Sequence, residues 1–325
     1  MIGASLSMTE AMQILVGLIA DARSKLKRAE IRTGAEARDT LDAALEKLQR
    51  ALHRNPVVLV AGESNSGKTS VANLLSGLDV LPSAVIANTA VPVHLKHGVV
   101  PSVAAVTNRG RIPLATLAVN EPLPKFLYSG LERIHVDLPS MRNAGFEILD
   151  TPGCHGQVEL CEEADILLWC SVAARPWTES ERRAVSALPA RLRERSLLVI
   201  THKDMLSQSE GERVLDRYNE FAGELFSGIV MIDAATRGFD TDWLLDKPAG
   251  VRIGDGHRSA LESSLDELID EYWDHRAVTG RRLCRHIARS IKPLLPAPAI
   301  SGKSAPVLDP FATLMSNIAG RLKTV

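Results

Sequence analysis

The sequence predicts an α/β fold: a mostly parallel sheet flanked by helices, plus a helical bundle built from the N- and C-terminal segments. Three observations predict it. From Val57 to about Ala235, short β-rich apolar runs alternate with helical patterns, the signature of a largely parallel sheet covered on both faces. Amphipathic helical patterns lie on either side of that stretch. One strand-to-helix junction, GESNSGKTS, is built almost wholly of small and polar residues. The expected organisation is a helical segment over 1–54, an α/β domain over 55–245 and a second helical segment over 255–325.

The elements follow in order. SLSMTEAMQILVGLIADARSKLKRAE opens with Ser7 and Glu10 in capping-box spacing, and Met8, Met12, Leu15, Ile19 and Leu26 then recur at helical intervals. Leu41, Leu45, Leu48 and Leu52 form a second stripe. The expected strands are VVLVAG, SVAAVTN, ERIHVDL, FEILDTP, ADILLWCSV, SLLVITHKD and GIVMIDA. LPSAVIANTAVPVHLKHG, between the first two, reads as a loop. From about Asp255 the chain is helical again, first acidic (LESSLDELIDEYWDH), then basic (RAVTGRRLCRHIARSIKPLL). LPAPAISGKSAP reads as a linker before a last amphipathic stretch.

Composition narrows the function classes. With 45% hydrophobic residues, the 325-residue chain can bury a full α/β domain with helical additions, and 4% aromatics leaves Leu, Val, Ile and Ala to fill the core. A net charge of −1 argues against a dedicated nucleic-acid binder, so none is expected as a partner. The four cysteines include no C-x-x-C pair, and Cys154, His155 and Cys161 match no common zinc spacing. MQILVGLIA has about half the residues needed to span a bilayer. The expected location is cytoplasmic, with peripheral membrane contact open.

Gly62 to Thr69 fits G-x-x-x-x-G-K-[ST], the P-loop. Glycines let the backbone wrap so that N–H groups face phosphate oxygens, and the following helix turns its positive end to the anion. Lys68 is expected to reach the β- and γ-phosphates, and Thr69 to offer its hydroxyl to Mg²⁺. Gly62, Ser64, Asn65, Ser66, Gly67, Lys68, Thr69 and Ser70 are the expected phosphate-binding set. FEILDTPG supplies Asp150 for the other side of the metal and Gly153 for a backbone contact to the γ-phosphate. Thr89, in the loop between, is the candidate to cover Mg²⁺ and the γ-phosphate.

The base is read further on. SLLVITHKD ends in Thr201, His202, Lys203 and Asp204. Guanine presents N1–H and an amino group on one edge, and a carboxylate accepts both; adenine has no such pair there. Asp204 is therefore the expected guanine reader. The usual form is [NT]-K-x-D, and His202 stands where its lysine would pack along the base. Asp233-Ala234 falls where a backbone contact to guanine O6 is expected.

These residues resemble the dynamin superfamily, most closely its bacterial dynamin-like members, over roughly residues 50–240. GESNSGKTSVANLLSG is similar to the family's G-E-F-N-x-G-K-S-T loop and helix, ANTA to the end of its switch segment with Thr89 on the switch threonine, and ADILLWCSVAARPWTESE to the pattern after the metal-binding strand, with Thr178 and Glu181 in x-T-x-x-E. The resemblance implies a GTPase with GTP/GDP and Mg²⁺ as ligands, coupled to self-association and often acting at membranes. The flanking segments are too short for a long stalk, which leaves membrane remodelling open.

Two features bear on hydrolysis. Cys154 stands where Ras-type enzymes carry a water-orienting glutamine, which predicts slow intrinsic turnover, with His155 as an alternative base. Asn65 stands where potassium-activated GTPases carry an asparagine, which implies K⁺ and a site completed by a dimer across the nucleotide. Lys68, Thr89 and Asn65 are thus the catalytic candidates. Arg281, Arg285 and Arg289 form a basic helical face that would suit anionic lipid or the acidic stretch before it. Two alternatives stay open: a slow GTP-dependent switch that recruits a protein partner, and a ribosome- or tRNA-associated GTPase.

Overall fold

The structure, a computed structural model, describes residues 16, 17, 19–21, 23, 24, 35–76, 91–114, 130–139, 141, 145–151, 158–175, 177–232 and 256–291. They fall into two compact units. One comprises residues up to Arg54 with those from Asp270 onward, and the other Asn55–Ile269.

The larger unit is built on a nine-stranded sheet: β1 (Val57–Gly62), β2 (Val93–His97), β3 (Ser102–Thr107), β4 (Gly110–Leu114), β5 (Leu131–Leu138), β6 (Glu147–Asp150), β7 (Ile166–Val172), β8 (Ser196–Thr201) and β9 (Gly228–Met231). Their spatial order is β4-β3-β5-β2-β6-β1-β7-β8-β9. From β6 to β9 all pairings are parallel. β2 runs antiparallel to β6 and parallel to β5, and β3 is antiparallel to both β4 and β5. The sheet is thus mixed, with a parallel half that carries the phosphate loop.

All seven expected strands form. Two more appear. Val93–His97 lies inside the stretch read as a loop, and instead inserts as β2 between β5 and β6. The physical cause is a short period-2 pattern: Val93 and Leu95 are buried while His94 and Lys96 are only partly covered. The other is β4, an exposed edge strand that tolerates Pro113.

The strands of the parallel half are buried on both faces. Every residue of β1 and β8 is inside, and all but the last of β7. Continuous runs such as Val57–Val60 and Ile166–Leu168 follow from that, since neither face meets water. Around these strands lie α2 (Lys68–Ser76), α3 (Val158–Glu163), α4 (Glu179–Ser186), α5 (Ala190–Arg193) and α6 (Gln208–Ala222), preceded in the chain by α1 (Ala35–His53) of the smaller unit. Leu59, Leu149, Leu160, Leu167, Trp169, Val185, Leu198, Tyr218 and Phe226 close one core. Capping boxes start two of the helices: Thr178 with Glu181 for α4, and Ser207 with Glu210 for α6.

In the smaller unit, α1 buries Leu45, Leu48 and Leu52. Arg23, from a helical stretch before it, donates to Asp42 at 2.8 Å, Glu46 at 2.8 Å and Gln49 at 3.1 Å. α7 (Gly256–Ile291) is a single helix that holds the acidic stretch and the basic one as far as Ile291, and within the smaller unit its Tyr272 hydroxyl donates to the Arg54 carbonyl. The side chains of Arg281, Arg285 and Arg289 lie outside the described residues. Among the described residues, no helix is long and apolar enough to cross a membrane.

Candidate functional site

The phosphate loop joins β1 to α2, and its backbone explains its residues. Gly62 (φ +144°) and Gly67 (φ +79°) adopt conformations that side chains disfavour. A Cβ on Gly62 would stand 2.3 Å from the Cys170 carbonyl oxygen, so only glycine lets β1 turn here against β7. Asn65 is also left-handed (φ 62°) and exposed, a state that asparagine tolerates better than most residues. Ser64 is exposed beside it, and Ser70 lies exposed in the first turn of α2. Ser66 is buried, and its hydroxyl has no hydrogen-bond partner among the described residues.

Lys68 starts α2 and is 6% exposed, with its ammonium donating to the Glu63 carbonyl at the head of the loop. Thr69, next to it, donates its hydroxyl to Asp150 Oδ2 at 3.0 Å, although the two are 81 residues apart. Asp150 ends β6, one strand away from β1, and is 1% exposed. Burial pushes its carboxyl up to about 6, against the opposing pull of the Thr69 hydroxyl, the Lys68 charge and the Thr151 N–H. Asp150 Oδ1 is buried with no hydrogen-bond partner among the described residues. Thr151 locks the strand end to β1 through a bond to the Val60 carbonyl at 3.0 Å.

This donor set fits a hard divalent cation such as Mg²⁺, which takes oxygen ligands. Thr69 Oγ1 and Asp150 would hold it on the inner side. The glycine cradle and the unpartnered Ser66 hydroxyl fit phosphate. Thr89, Gly153, Cys154 and His155 lie outside the described residues, so the other side of the metal, the γ-phosphate contact and the water-orienting position are not placed.

The end of β8, where the sequence predicts the base to be read, is joined to the loop by one hydroxyl. Thr201, the last residue of β8, donates to the carbonyls of Ser66 (3.0 Å) and Ser171 (3.2 Å) and meets His202 Nδ1 at 2.9 Å. The hydroxyl has one hydrogen for these three contacts, and the role of His202 Nδ1 follows the tautomer of its ring. His202 is left-handed (φ 60°), which turns the chain into a short 3₁₀ turn holding Lys203 and Asp204. Lys203 N–H bonds the Ile232 carbonyl, and Asp204 is exposed. Ala234 lies outside the described residues.

Sequence reasoning did not foresee the Thr201 contact with the loop, nor a tie between Glu63 and Thr178. Thr178 Oγ1 lies 3.3 Å from Glu63 Oε1 across 115 residues. No local pattern carries a contact of that span, although both residues belong to the motifs that carry the family resemblance.

A glycine-turned strand-to-helix junction with the P-loop pattern, a buried threonine–aspartate pair beside it, and the mixed sheet around them define the class: a P-loop GTPase domain. Residues 58–203 match the dynamin family. It is 26% identical over 207 residues to a dynamin-like protein 2 of Campylobacter jejuni, an alignment covering 59% of this chain and 33% of that protein. The chain therefore spans about a third of the curated relative it matches. Two solved structures of an oligomerised bacterial dynamin pair, described as providing a mechanism for long-range sensing and tethering of membranes, share the fold. One superposes at a TM-score of 0.59 with 17% identity, covering 89% of this chain and 56% of that one. The other reaches 0.57 with 17% identity, covering 87% and 46%.

Proposed function

We propose that the chain binds GTP with Mg²⁺ and hydrolyses it to GDP and phosphate in a cycle coupled to association of two copies across the nucleotide face. The observation that carries the reading is Asp150 Oδ1, a buried carboxylate oxygen without a partner among the described residues, held beside the Thr69 hydroxyl at the mouth of the phosphate loop. An unpaired buried acceptor of this kind is costly unless a ligand completes it.

In this reading the Lys68 ammonium reaches phosphate oxygens from beside the Glu63 carbonyl, and the N–H groups of the loop cradle the anion. Thr69 and Asp150 hold Mg²⁺, which supplies charge neutralisation between the phosphates. Thr89 and Gly153 would close the γ-phosphate side. Asp204 accepts from guanine N1–H and the amino group, Ala234 contacts O6, and His202 lies along the base. The left-handed backbone is reason enough for asparagine at position 65, so K⁺ enters as a variable of the assay. Membrane contact rests on what the bacterial dynamin pair is described as doing.

Base selectivity tests the reading. Phosphate release in Mg²⁺ should be faster from GTP than from ATP, in K⁺ and in Na⁺. The Asp204→Asn change should move preference from GTP to XTP, because xanthine presents a carbonyl where guanine has its amino group and an amide donates where a carboxylate accepts. A chain that turns over neither purine triphosphate, or an Asp204→Asn variant with unchanged GTP preference, defeats the assignment. Light scattering with GDP, a GTP analogue and GDP–AlF₄⁻ tests association: a monomer in all three states removes the dimer and leaves a partner-dependent switch.

A further inference from the structure

The P-loop pattern leaves its second position open, and a carboxylate there is electrostatically awkward. It brings negative charge to the head of a loop shaped for anions. Here the Glu63 side chain is directed away to the start of α4. Thr178 Oγ1 lies 3.3 Å from its Oε1 and 3.2 Å from Glu181 Oε2, with one hydroxyl hydrogen shared between the two carboxylates, while the Glu63 carbonyl holds the Lys68 ammonium. The far end of this contact is well anchored. Thr178 caps α4 by accepting from Glu181 N–H at 3.2 Å. Thr178 N–H in turn donates to Glu181 Oε2 at 2.9 Å. Glu181 is 3% exposed, and its Oε1 accepts from the Trp169 indole N–H at 3.4 Å inside β7. The helix N-terminus adds partial positive charge where the carboxylate is held.

We propose that Glu63 is a positioning residue of the nucleotide site: its carboxylate ties the phosphate loop to the Thr178 cap of α4, and this tie sets the loop so that the Glu63 carbonyl presents Lys68 to the phosphates. The inference rests on the nucleotide-binding reading above. It gives the first variable residue of the loop a role beyond the general motif. It also makes α4 a support of the phosphate site, although none of its residues belongs to the binding set.

A double-mutant cycle on the full chain tests the tie, with a fluorescent GTP analogue as the probe. Glu63→Ala and Thr178→Val should each weaken binding by about tenfold, and the double variant should bind no more weakly than either single one. Thr178→Ser, which keeps the hydroxyl, should recover the affinity. Glu63→Gln, which keeps an acceptor oxygen, should bind at least as well as the unchanged chain. In turnover, Glu63→Ala should raise KM more than it lowers kcat, which loss of stability alone would not do. Additive losses, or a Glu63→Ala variant that binds like the unchanged chain, overturn the tie. If Thr178→Val does not fold, the comparison of Glu63→Ala with Glu63→Gln decides, and equal weakening of both overturns it. Failure of the unchanged chain to bind the analogue overturns the nucleotide reading along with the tie. Binding by the unchanged chain with additive variants overturns the tie alone.

Discussion

The two halves of the sheet are built on different terms. In the parallel half, β1, β7 and β8 are buried almost throughout, and the polar groups that survive there are few: Asp150 and Thr151 at the end of β6, Ser171 in β7, and Ser196 and Thr201 in β8. Thr151 bonds β1, Ser171 meets the Tyr218 hydroxyl of α6, Ser196 bonds the Arg193 carbonyl and Thr201 bonds the loop, while Asp150 meets Thr69 and leaves one oxygen unpaired among the described residues. In the outer half, β5 alternates. Ile134, Val136 and Leu138 are buried, while Arg133, His135 and Asp137 lie on a wetter face. Charges on that face are paired, Arg133 with Glu163 of α3 and Lys96 and Arg111 with Asp137, and the His94 ring meets Glu147 of β6 at 2.7 Å. The parallel half leaves a carboxylate oxygen unpaired beside the phosphate loop, whereas the atoms of the outer half without a partner among the described residues are ring nitrogens, His94 Nδ1 and His135 Nδ1. Unpaired polar groups are costly where no water reaches, so an aspartate kept in the dry half marks the site.

The largest expected effect probes packing. Leu168→Ala, at a fully buried position of β7, should cost about 3 kcal/mol, within the usual range for core leucines. Val103→Ala on half-buried β3 should cost well under half of that. Denaturant unfolding of both variants compares them, and equal losses would erase the contrast between the halves.

An effect of similar size and opposite sign belongs to Asp150. Its folded carboxyl is raised from 3.8 to about 6, so the stability tied to its protonated form is complete below about pH 4 and lost as pH rises through 6. At neutral pH the nucleotide-free chain therefore carries a cost on the order of 3 kcal/mol. Asp150→Asn should raise the melting temperature near pH 7 without nucleotide while ending Mg²⁺-dependent turnover. A variant that is both less stable and inactive would mean the carboxylate is a structural post.

The smallest effect lies in the outer half. Burial, then His94, Lys96, Arg133 and Arg111, hold His135 down at about 4, below its ordinary 6.5. The unfolded chain takes up that proton first, so stability falls as pH drops from about 6.5 towards 4. The ring is only half-buried, and solvent screening limits the loss to about 1 kcal/mol. Melting temperatures from pH 7 to 4.5 should drop more for the unchanged chain than for His135→Gln, and parallel profiles would remove His135 from the account.

The same division explains what could be read in advance. β1, β7 and β8 announce themselves as unbroken apolar runs, and Lys68, Thr69 and Asp150 follow from motif spacing because phosphate and metal demand those groups. The outer half is quieter. β2 has a five-residue alternation beside Pro92, easily taken for loop, and β4 is an exposed edge containing Pro113. Strand direction there depends on partners far along the chain: Leu95 pairs with Val136 in parallel and with Ile148 antiparallel. The Thr201–Ser66 and Thr178–Glu63 contacts span 135 and 115 residues, and only the folded chain brings them together.

The Thr201 hydroxyl has a consequence for anyone who would re-engineer the site. Phosphate grip and base choice are often treated as exchangeable cassettes. Here a single oxygen joins the Ser66 carbonyl, the Ser171 carbonyl and the His202 ring. A base-reading loop transplanted from another nucleotide-binding protein would lose that joint unless the graft began one residue earlier, at the strand end, and kept a hydroxyl there.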